Sequence, residues 1–354
     1  MSDSVLNDRD FVLRHDPQGI YDRALGFADQ CDRARGLVGE LEWHRPIGTF
    51  RNVVLAGMGG SAAAGDLLKA LMDAEGFAPV VVSRDYRVPT WVGSDTLVLV
   101  SSYSGDTEET LSAYEDARSR GAAILVLTSG GELSRRAEAN GYPVVLIPGG
   151  SPPRMALGSM FIPLVVAACS LGLLADQDLD EAVAVLRSGR ADWAVETPDN
   201  LAKQLAHHLH GTVGAIYGLG AWQGAAANRW RGQINENAKQ IALSGVLPEM
   251  DHNEILGWQG AREQTGREWA TVFLGSKVLT ERMRLRAEAT AELIASACRL
   301  KTVHAEGERL LSQMLWTVSL GDFVSVYLAA LVGVNPFEID AINRLKAILA
   351  AASA

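Results

Sequence analysis

The chain has 354 residues, of which 48% are apolar and 21% charged, with a formal net charge of −10. That length holds one large domain or two of ordinary size, and the composition is that of a packed globule, which excludes a disordered or fibrous chain. The acid excess, with no basic run longer than two residues, argues against a nucleic-acid surface and leaves any anionic substrate to be held by local groups.

Residues 1–50 open with the polar, acidic "MSDSVLNDRDFVLRHD", unlike a secretory leader, and continue as a helical segment with apolar positions three and four apart in "IYDRALGFADQCDRARGLVGEL". Between 51 and 160, the apolar runs "NVVLAG", "APVVVS", "DTLVLVSS", "AAILVLTS" and "YPVVLIP" alternate with helical stretches. Runs rich in Val, Ile and Leu, with little alternation, are expected of parallel strands covered on both faces. Strand–helix–strand order of this kind builds an open α/β sheet with right-handed crossovers.

Residues 161–200 read as a helical connection; "FIPLVVAACSLGLLA" at its start is the longest apolar run, and it contains Pro163. It falls short of the ~20 residues of a membrane span, so a buried helix is expected. A second unit, 201–335, begins with the strand "TVGAIYGLG" and a long helix through "AANRWRGQINENAKQIA". The strands "EWATVFLG" and "KTVHAEG" and a helix from about 310 to 331 follow, and residues 336–354 form a closing helix. The stretch 53–69 echoes 215–231 in its strand, paired glycines, small residues and helix, the mark of an internal duplication. Cys31, Cys169 and Cys298 lie far apart in helix-like contexts, as expected of reduced thiols in the cytoplasm.

Two loops carry chemistry. "GMGGSAAAGD" at 57–66 follows a strand and opens a helix, where glycines admit a ligand to the backbone and free N–H groups attract an anion. Gly57, Gly59 and Ala62 also fit the loose dinucleotide pattern, with Asp85 as the acidic residue 26 positions after Gly59, so a nicotinamide-dependent dehydrogenase is one alternative. "SSYSGDTEET" at 101–110 has six hydroxyl side chains and no Lys or Arg. One hydroxyl suffices for an ordinary N-cap, Thr107 being the candidate. Three, from Ser102, Ser104 and Thr107, suit the neutral donors of a phosphate monoester site at a helix start.

In "GQINENAKQIA", Glu236 has Ile234, Ala238 and Ile241 as neighbours that suggest partial burial of a candidate base; the plainer alternative is a surface Glu paired with Lys239. His252, in "PEMDHNEILGW", suits a proton shuttle, and Glu249 with His252 and Glu254 is the rival metal reading. The cluster His207, His208 and His210 is expected at a half-exposed helix end.

"GMGGS", "SSYSGDTEET", "QINENAKQIA", "PEMDHNEILGW" and Lys346 within "IDAINRLK" together resemble, in order and over residues 57–346, the bifunctional phosphoglucose/phosphomannose isomerase family. The resemblance implies two sugar isomerase domains, each a parallel sheet flanked by helices in a flavodoxin-like three-layer sandwich, assembled as a homodimer. It implies a metal-independent isomerase, without cofactor, that interconverts glucose 6-phosphate, fructose 6-phosphate and mannose 6-phosphate through a cis-enediolate. By the resemblance Gly59, Gly60, Ser61, Ser102, Ser104 and Thr107 bind the substrate phosphate. Arg154 faces the reacting carbons, Glu236 is the base, and His252, from the neighbouring subunit, opens the ring. Lys346 is a further sugar contact on a C-terminal helix that packs on the active site. Two departures stand out: Asp106 stands where the resemblance leads us to expect Asn, and no Thr lies between Thr317 and the end, where the family places the Thr tied to mannose activity, so the resemblance supports the mannose reaction less than the glucose one. A non-catalytic sugar-phosphate sensor of the same fold is the other alternative.

Overall fold

The computed structural model describes residues 5–39 and 50–352. Two parallel sheets organise the described residues. The first contains β1 (Asn52–Ala56), β2 (Val80–Ser83), β3 (Thr96–Ser102), β4 (Ala123–Thr128) and β5 (Val144–Leu146), in the order β2-β1-β3-β4-β5. The second contains β6 (Val213–Gly218), β7 (Ala242–Val246), β8 (Trp269–Ser276) and β9 (Cys298–Ala305), in the order β7-β6-β8-β9. The shared 2-1-3-4 order gives the duplication a structural form. Every residue of β3 is buried, as its unbroken apolar run requires of a central strand covered on both faces.

Both sheets lean on one apolar core that also takes in the N-terminal helices, the Leu157–Ser170 helix and the Leu310–Val332 helix. The last of these is long and apolar enough to span a membrane, but 89% of its apolar window is buried within the protein, so it is the central core helix. It exceeds the run at 161–175 singled out from the sequence. Gly321 on this helix allows Trp230 to lie against it: a Cβ there would collide with the indole Nε1, and that nitrogen donates to Thr317 O.

The structure departs from the sequence expectation in four places. The second unit opens with a helix, Leu201–Leu209, capped by the Asn200 side chain, and only then enters β6. The long helix Ala221–Ala238 stops short of "KQIA", because Lys239 takes a left-handed conformation (φ 51°) and the chain enters β7, a strand the apolar pattern did not reveal. Cys298 begins β9 and is not helical. Ile241 is 67% exposed, so only Ile234 and Ala238 support the buried side of the Glu236 helix.

In the first sheet the order reverses between β1 and β3, so the crevice beyond their carboxyl ends is the topological switch point at which open α/β sheets bind ligands. "GMGGS" leaves β1 there and "SYSGDT" leaves β3.

Candidate active site

The two loops at the switch point are in contact. A Cβ on Gly57 would sit 2.7 Å from Ser101 O, so only glycine lets the β1 loop lie this close to β3. The Gly59–Glu75 helix starts directly after β1, with Met58 at its N-cap and no side chain capping it; Gly59 itself has φ +53°. The Glu108–Ser119 helix starts after the hydroxyl loop, and its N-cap residue Thr107 makes no side-chain cap either. The ordinary N-cap reading of Thr107 is therefore not what the fold uses. Its Oγ1 accepts from Ser102 Oγ at 3.1 Å instead. Two helix starts with no side-chain cap flank one crevice, and the N–H groups of such starts are the kind of donor that suits an anion.

The second half supplies an internal contrast. At the matching position after β8, Thr280 caps the Glu281–Ile294 helix by accepting from Met283 N at 3.2 Å. Where the hydroxyl is needed for capping, one suffices; in the first half three stand together and none caps the helix that follows.

Ser102 is buried, and its Oγ also accepts from Gly105 N (3.2 Å); Ser104 is exposed, and its Oγ accepts from Asp106 N (3.3 Å). Asp106 turns away from the crevice: its Oδ1 accepts from Glu132 N (2.9 Å), at the start of the Gly131–Ala139 helix. Its charge thus meets a helix N-terminus, the favourable end of the dipole. Gly105 and Gly131 permit this junction, since a Cβ on Gly105 would collide with Gly130 O. Ser61 is buried, with its Oγ 3.5 Å from Met160 Sδ.

Gly60 joins this crevice to Arg154: a Cβ on it would meet Pro153 O at 2.9 Å and Arg154 N at 3.4 Å. The turn Pro153–Met155 therefore lies against the start of the Gly59–Glu75 helix and directs Arg154 inward, where it is 4% exposed. Arg154 Nη1 reaches Glu236 Oε2 at 3.4 Å; Nε donates to Asn237 Oδ1 (2.7 Å), and Nη2 donates to Pro336 O (2.7 Å) and Phe337 O (3.3 Å). Burial lowers the guanidinium's pKa from its ordinary value, and the Glu236 charge opposes that shift. Glu236 does not pair with Lys239, whose Nζ donates to Asn335 O (2.5 Å) and Asn237 O (3.4 Å).

His252 lies elsewhere. It ends the turn Glu249–His252, which is pinned on both sides: Asp251 accepts from Arg286 Nη1 (3.0 Å) and Thr290 Oγ1 (2.9 Å), and Glu254 Oε2 accepts from Tyr217 OH (2.8 Å). His252 itself is exposed. Glu249 accepts from Asn253 Nδ2 (3.0 Å), so both carboxylates of the rival metal set have other partners, and no group of three metal-ligating side chains occurs among the described residues. His208 is buried with Nε2 3.1 Å from Thr271 O, facing the core. Asp85 accepts from its neighbour Tyr86 N (2.6 Å) on the exposed surface. Lys346, on the Asp340–Ala352 helix, is also exposed, as is every residue from 341 to 349, including Ile342, Leu345, Ile348 and Leu349. One chain thus brings together the two switch-point loops, Arg154 and Glu236, and presents His252 and Lys346 outward.

Sequence reasoning missed Asn237 and the carbonyls of 336 and 337, which hold Arg154, and its alternative pairing of Lys239 with Glu236 fails because the structure gives Lys239 to Asn335 O and Asn237 O. Only the closeness of Asn237 to Glu236 in "NENAK" hinted at its place.

The fold and the crevice define a chain of two sugar isomerase domains. Residues 50–144 match the family model described as SIS domain, and 198–349 match the bacterial phospho-glucose isomerase C-terminal SIS domain. A bifunctional phosphoglucose/phosphomannose isomerase of Caldicellulosiruptor bescii is 41% identical over 332 residues, covering 92% of this chain and 98% of that protein. One of Aquifex aeolicus is 32% identical over 316 residues, covering 88% and 95%. The chain belongs to the bifunctional phosphoglucose/phosphomannose isomerase family. Its fold is that of a hypothetical protein from Thermus thermophilus, with a TM-score of 0.72 at 19% identity over 99% of this chain and 94% of the other.

Proposed function

We propose that this protein is a cytoplasmic, metal-independent aldose–ketose isomerase acting on glucose 6-phosphate, fructose 6-phosphate and mannose 6-phosphate. The observation that carries the reading is the buried Arg154 guanidinium 3.4 Å from Glu236, on a turn touching the helix start at Gly60.

The substrate phosphate lies at the switch point, held by N–H groups of the two uncapped helix starts and by the hydroxyls of Ser102, Ser104 and Thr107. Neutral donors suffice there because the helix dipoles favour the anion. The sugar carbons then extend toward Glu236. His252 moves a proton between the C1 hydroxyl and the ring oxygen to open the pyranose. Glu236 takes the C2 proton of the aldose, the electron pair forms the C1–C2 double bond of a cis-enediolate, and the negative charge developing on oxygen faces Arg154. The C2 hydroxyl proton passes to the C1 oxygen, Glu236 returns its proton to C1 as the C2 carbonyl forms, and the ketose results. Mannose 6-phosphate, the C2 epimer of glucose 6-phosphate, gives the same enediolate when its own C2 proton is removed, which extends the reaction to it.

Exposed His252, on a turn fixed from both sides, and the exposed apolar positions Ile342, Leu345, Ile348 and Leu349 of the last helix support a homodimer. In it His252 enters the neighbouring site and Lys346 becomes a sugar contact. The strand order 2-1-3-4-5 favours this reading over a dinucleotide-binding one, whose usual order is 3-2-1-4-5-6.

A coupled assay on the three hexose 6-phosphates, with a chelator present, tests the activity. Turnover of glucose 6-phosphate and fructose 6-phosphate is expected, undiminished by the chelator. Binding without turnover would instead support a sensor, and binding of a nicotinamide dinucleotide alone a dehydrogenase.

A further inference from the structure

Arg154 is held in an unusual way for a buried cation. Buried guanidinium groups ordinarily meet carboxylates, and two such groups are near enough to act on this one, Glu236 and Asp322. Asp322, however, is turned to Arg229 Nη2 (3.0 Å) and Gln233 Nε2 (2.6 Å). The three groups that fix Nε and Nη2 of Arg154 are all neutral: the Asn237 amide oxygen and the carbonyls of Pro336 and Phe337. Only Nη1 faces a charge, and that charge is the half-exposed base.

The Asn237 amide cannot turn over without loss. Its Nδ2 donates to Ser325 Oγ (2.9 Å), and the Ser325 hydroxyl proton is already given to Asp322 O (2.7 Å). Ser325 Oγ must therefore receive an N–H, which aims Oδ1 of Asn237 at Arg154. Asn237 is fully buried, one residue after Glu236 on the same helix.

We infer that Asn237 is a positioning residue whose neutrality sets the charge available in the site: it fixes the Arg154 guanidinium by its Nε without neutralising it, so the full positive field falls on Glu236 and the enediolate oxygen. An acid of the same shape at this position would still accept from Arg154 Nε, but it would cancel much of the guanidinium charge, add a negative charge beside Glu236, and give up the N–H that Ser325 Oγ receives. Both changes raise the affinity of Glu236 for its proton and weaken oxyanion stabilisation. The inference rests on the assignment of Glu236 and Arg154 to the reaction.

Asn237→Asp is the direct test, read by kcat and KM for fructose 6-phosphate, by the pH profile of kcat/KM, and by affinity for 5-phospho-arabinonate as an enediolate mimic. The expected result is a fall in kcat of about 30- to 100-fold, a KM within about threefold of the parent, and a matching loss of mimic affinity. The acid limb of the profile moves to higher pH. A purely structural role would not move that limb. A folded Asn237→Asp enzyme with kcat within about threefold of the parent and an unmoved acid limb overturns the inference. If this variant does not fold, Ser325→Ala decides. Releasing the amide is expected to lower kcat about three- to tenfold at unchanged KM, and an unchanged kcat overturns the inference. Glu236→Gln is measured alongside. If Glu236→Gln keeps parental turnover, the assignment of the base has failed; if it is inactive while Asn237→Asp is fully active, only the role of Asn237 has failed.

Discussion

Arg154, 4% exposed, reaches Glu236, 38% exposed, across 3.4 Å, so a cation fixed in the interior faces a carboxylate at the edge of solvent. The fork geometry of the guanidinium serves four acceptors at once, which a lysine cannot do. Arg154→Lys is therefore expected to lower kcat by about 100-fold and to reduce thermal stability, because Asn237 Oδ1 and the Pro336 and Phe337 carbonyls lose their donors. Steady-state kinetics together with a melting curve checks both parts.

The phosphate loop makes a separable prediction. Ser102→Ala, Ser104→Ala and Thr107→Val are each expected to raise KM for fructose 6-phosphate by about tenfold or more, as loss of one hydrogen bond to an anion implies. Thr280→Val, at the matching place in the second half, is expected to cost about 1 kcal/mol of stability through its lost cap and to leave KM unchanged. Denaturant melts and KM values on the four variants would contradict this reading if Thr280 proved the more important for substrate.

Subunit exchange tests where His252 acts. Glu236→Gln and His252→Asn are each expected to be nearly inactive. In a mixed dimer with a His252 donated across the interface, one site keeps both parental residues, so mixing equal amounts after subunit exchange is expected to restore about a quarter of parental activity. If His252 serves its own subunit, mixing restores nothing. Ile342→Asp with Leu345→Asp, on the exposed face of the last helix, is expected to give a monomer by sedimentation.

His208 gives a pH prediction. Burial lowers its pKa from the ordinary value, against the Thr271 carbonyl that raises it. The folded protein therefore binds this proton less readily than the unfolded chain. Its contribution to stability is complete above the unfolded pKa of about 6.5 and is lost as pH falls through the lower folded value. His208→Gln, which keeps an N–H donor but does not titrate, is expected to flatten the decline in melting temperature below about pH 6.5. A decline unchanged in the variant would assign it to other groups.

The parts of the fold that were legible were those whose signal is local. The central strands β1, β3 and β4 appear as unbroken apolar runs because both faces are covered, and the loop after β3 appears as a density of hydroxyls at one strand end. β7 escaped because the residue that stops the preceding helix is Lys239 in a left-handed conformation, where a glycine would have marked the break. The strand itself is an edge strand with Leu243 half exposed, so its pattern is weak. Arg154 and Glu236 are 82 positions apart, and no spacing rule connects them. Their roles came from resemblance, and their pairing came from the structure. The neutral frame around Arg154 was out of reach of sequence, since two of its acceptors are backbone carbonyls at 336 and 337.

The central claim is that Glu236 carries a proton between C1 and C2 of a sugar anchored by its phosphate. Isomerisation in heavy water tests it most directly, with deuterium at C1 and C2 read by NMR. The parent enzyme is expected to place solvent deuterium on these carbons during turnover, to the extent that the carboxylic acid exchanges before returning its proton. Glu236→Gln is expected to bind fructose 6-phosphate normally while turnover and labelling both fall by about 1,000-fold or more. Labelling and turnover near parental levels in Glu236→Gln would contradict the account.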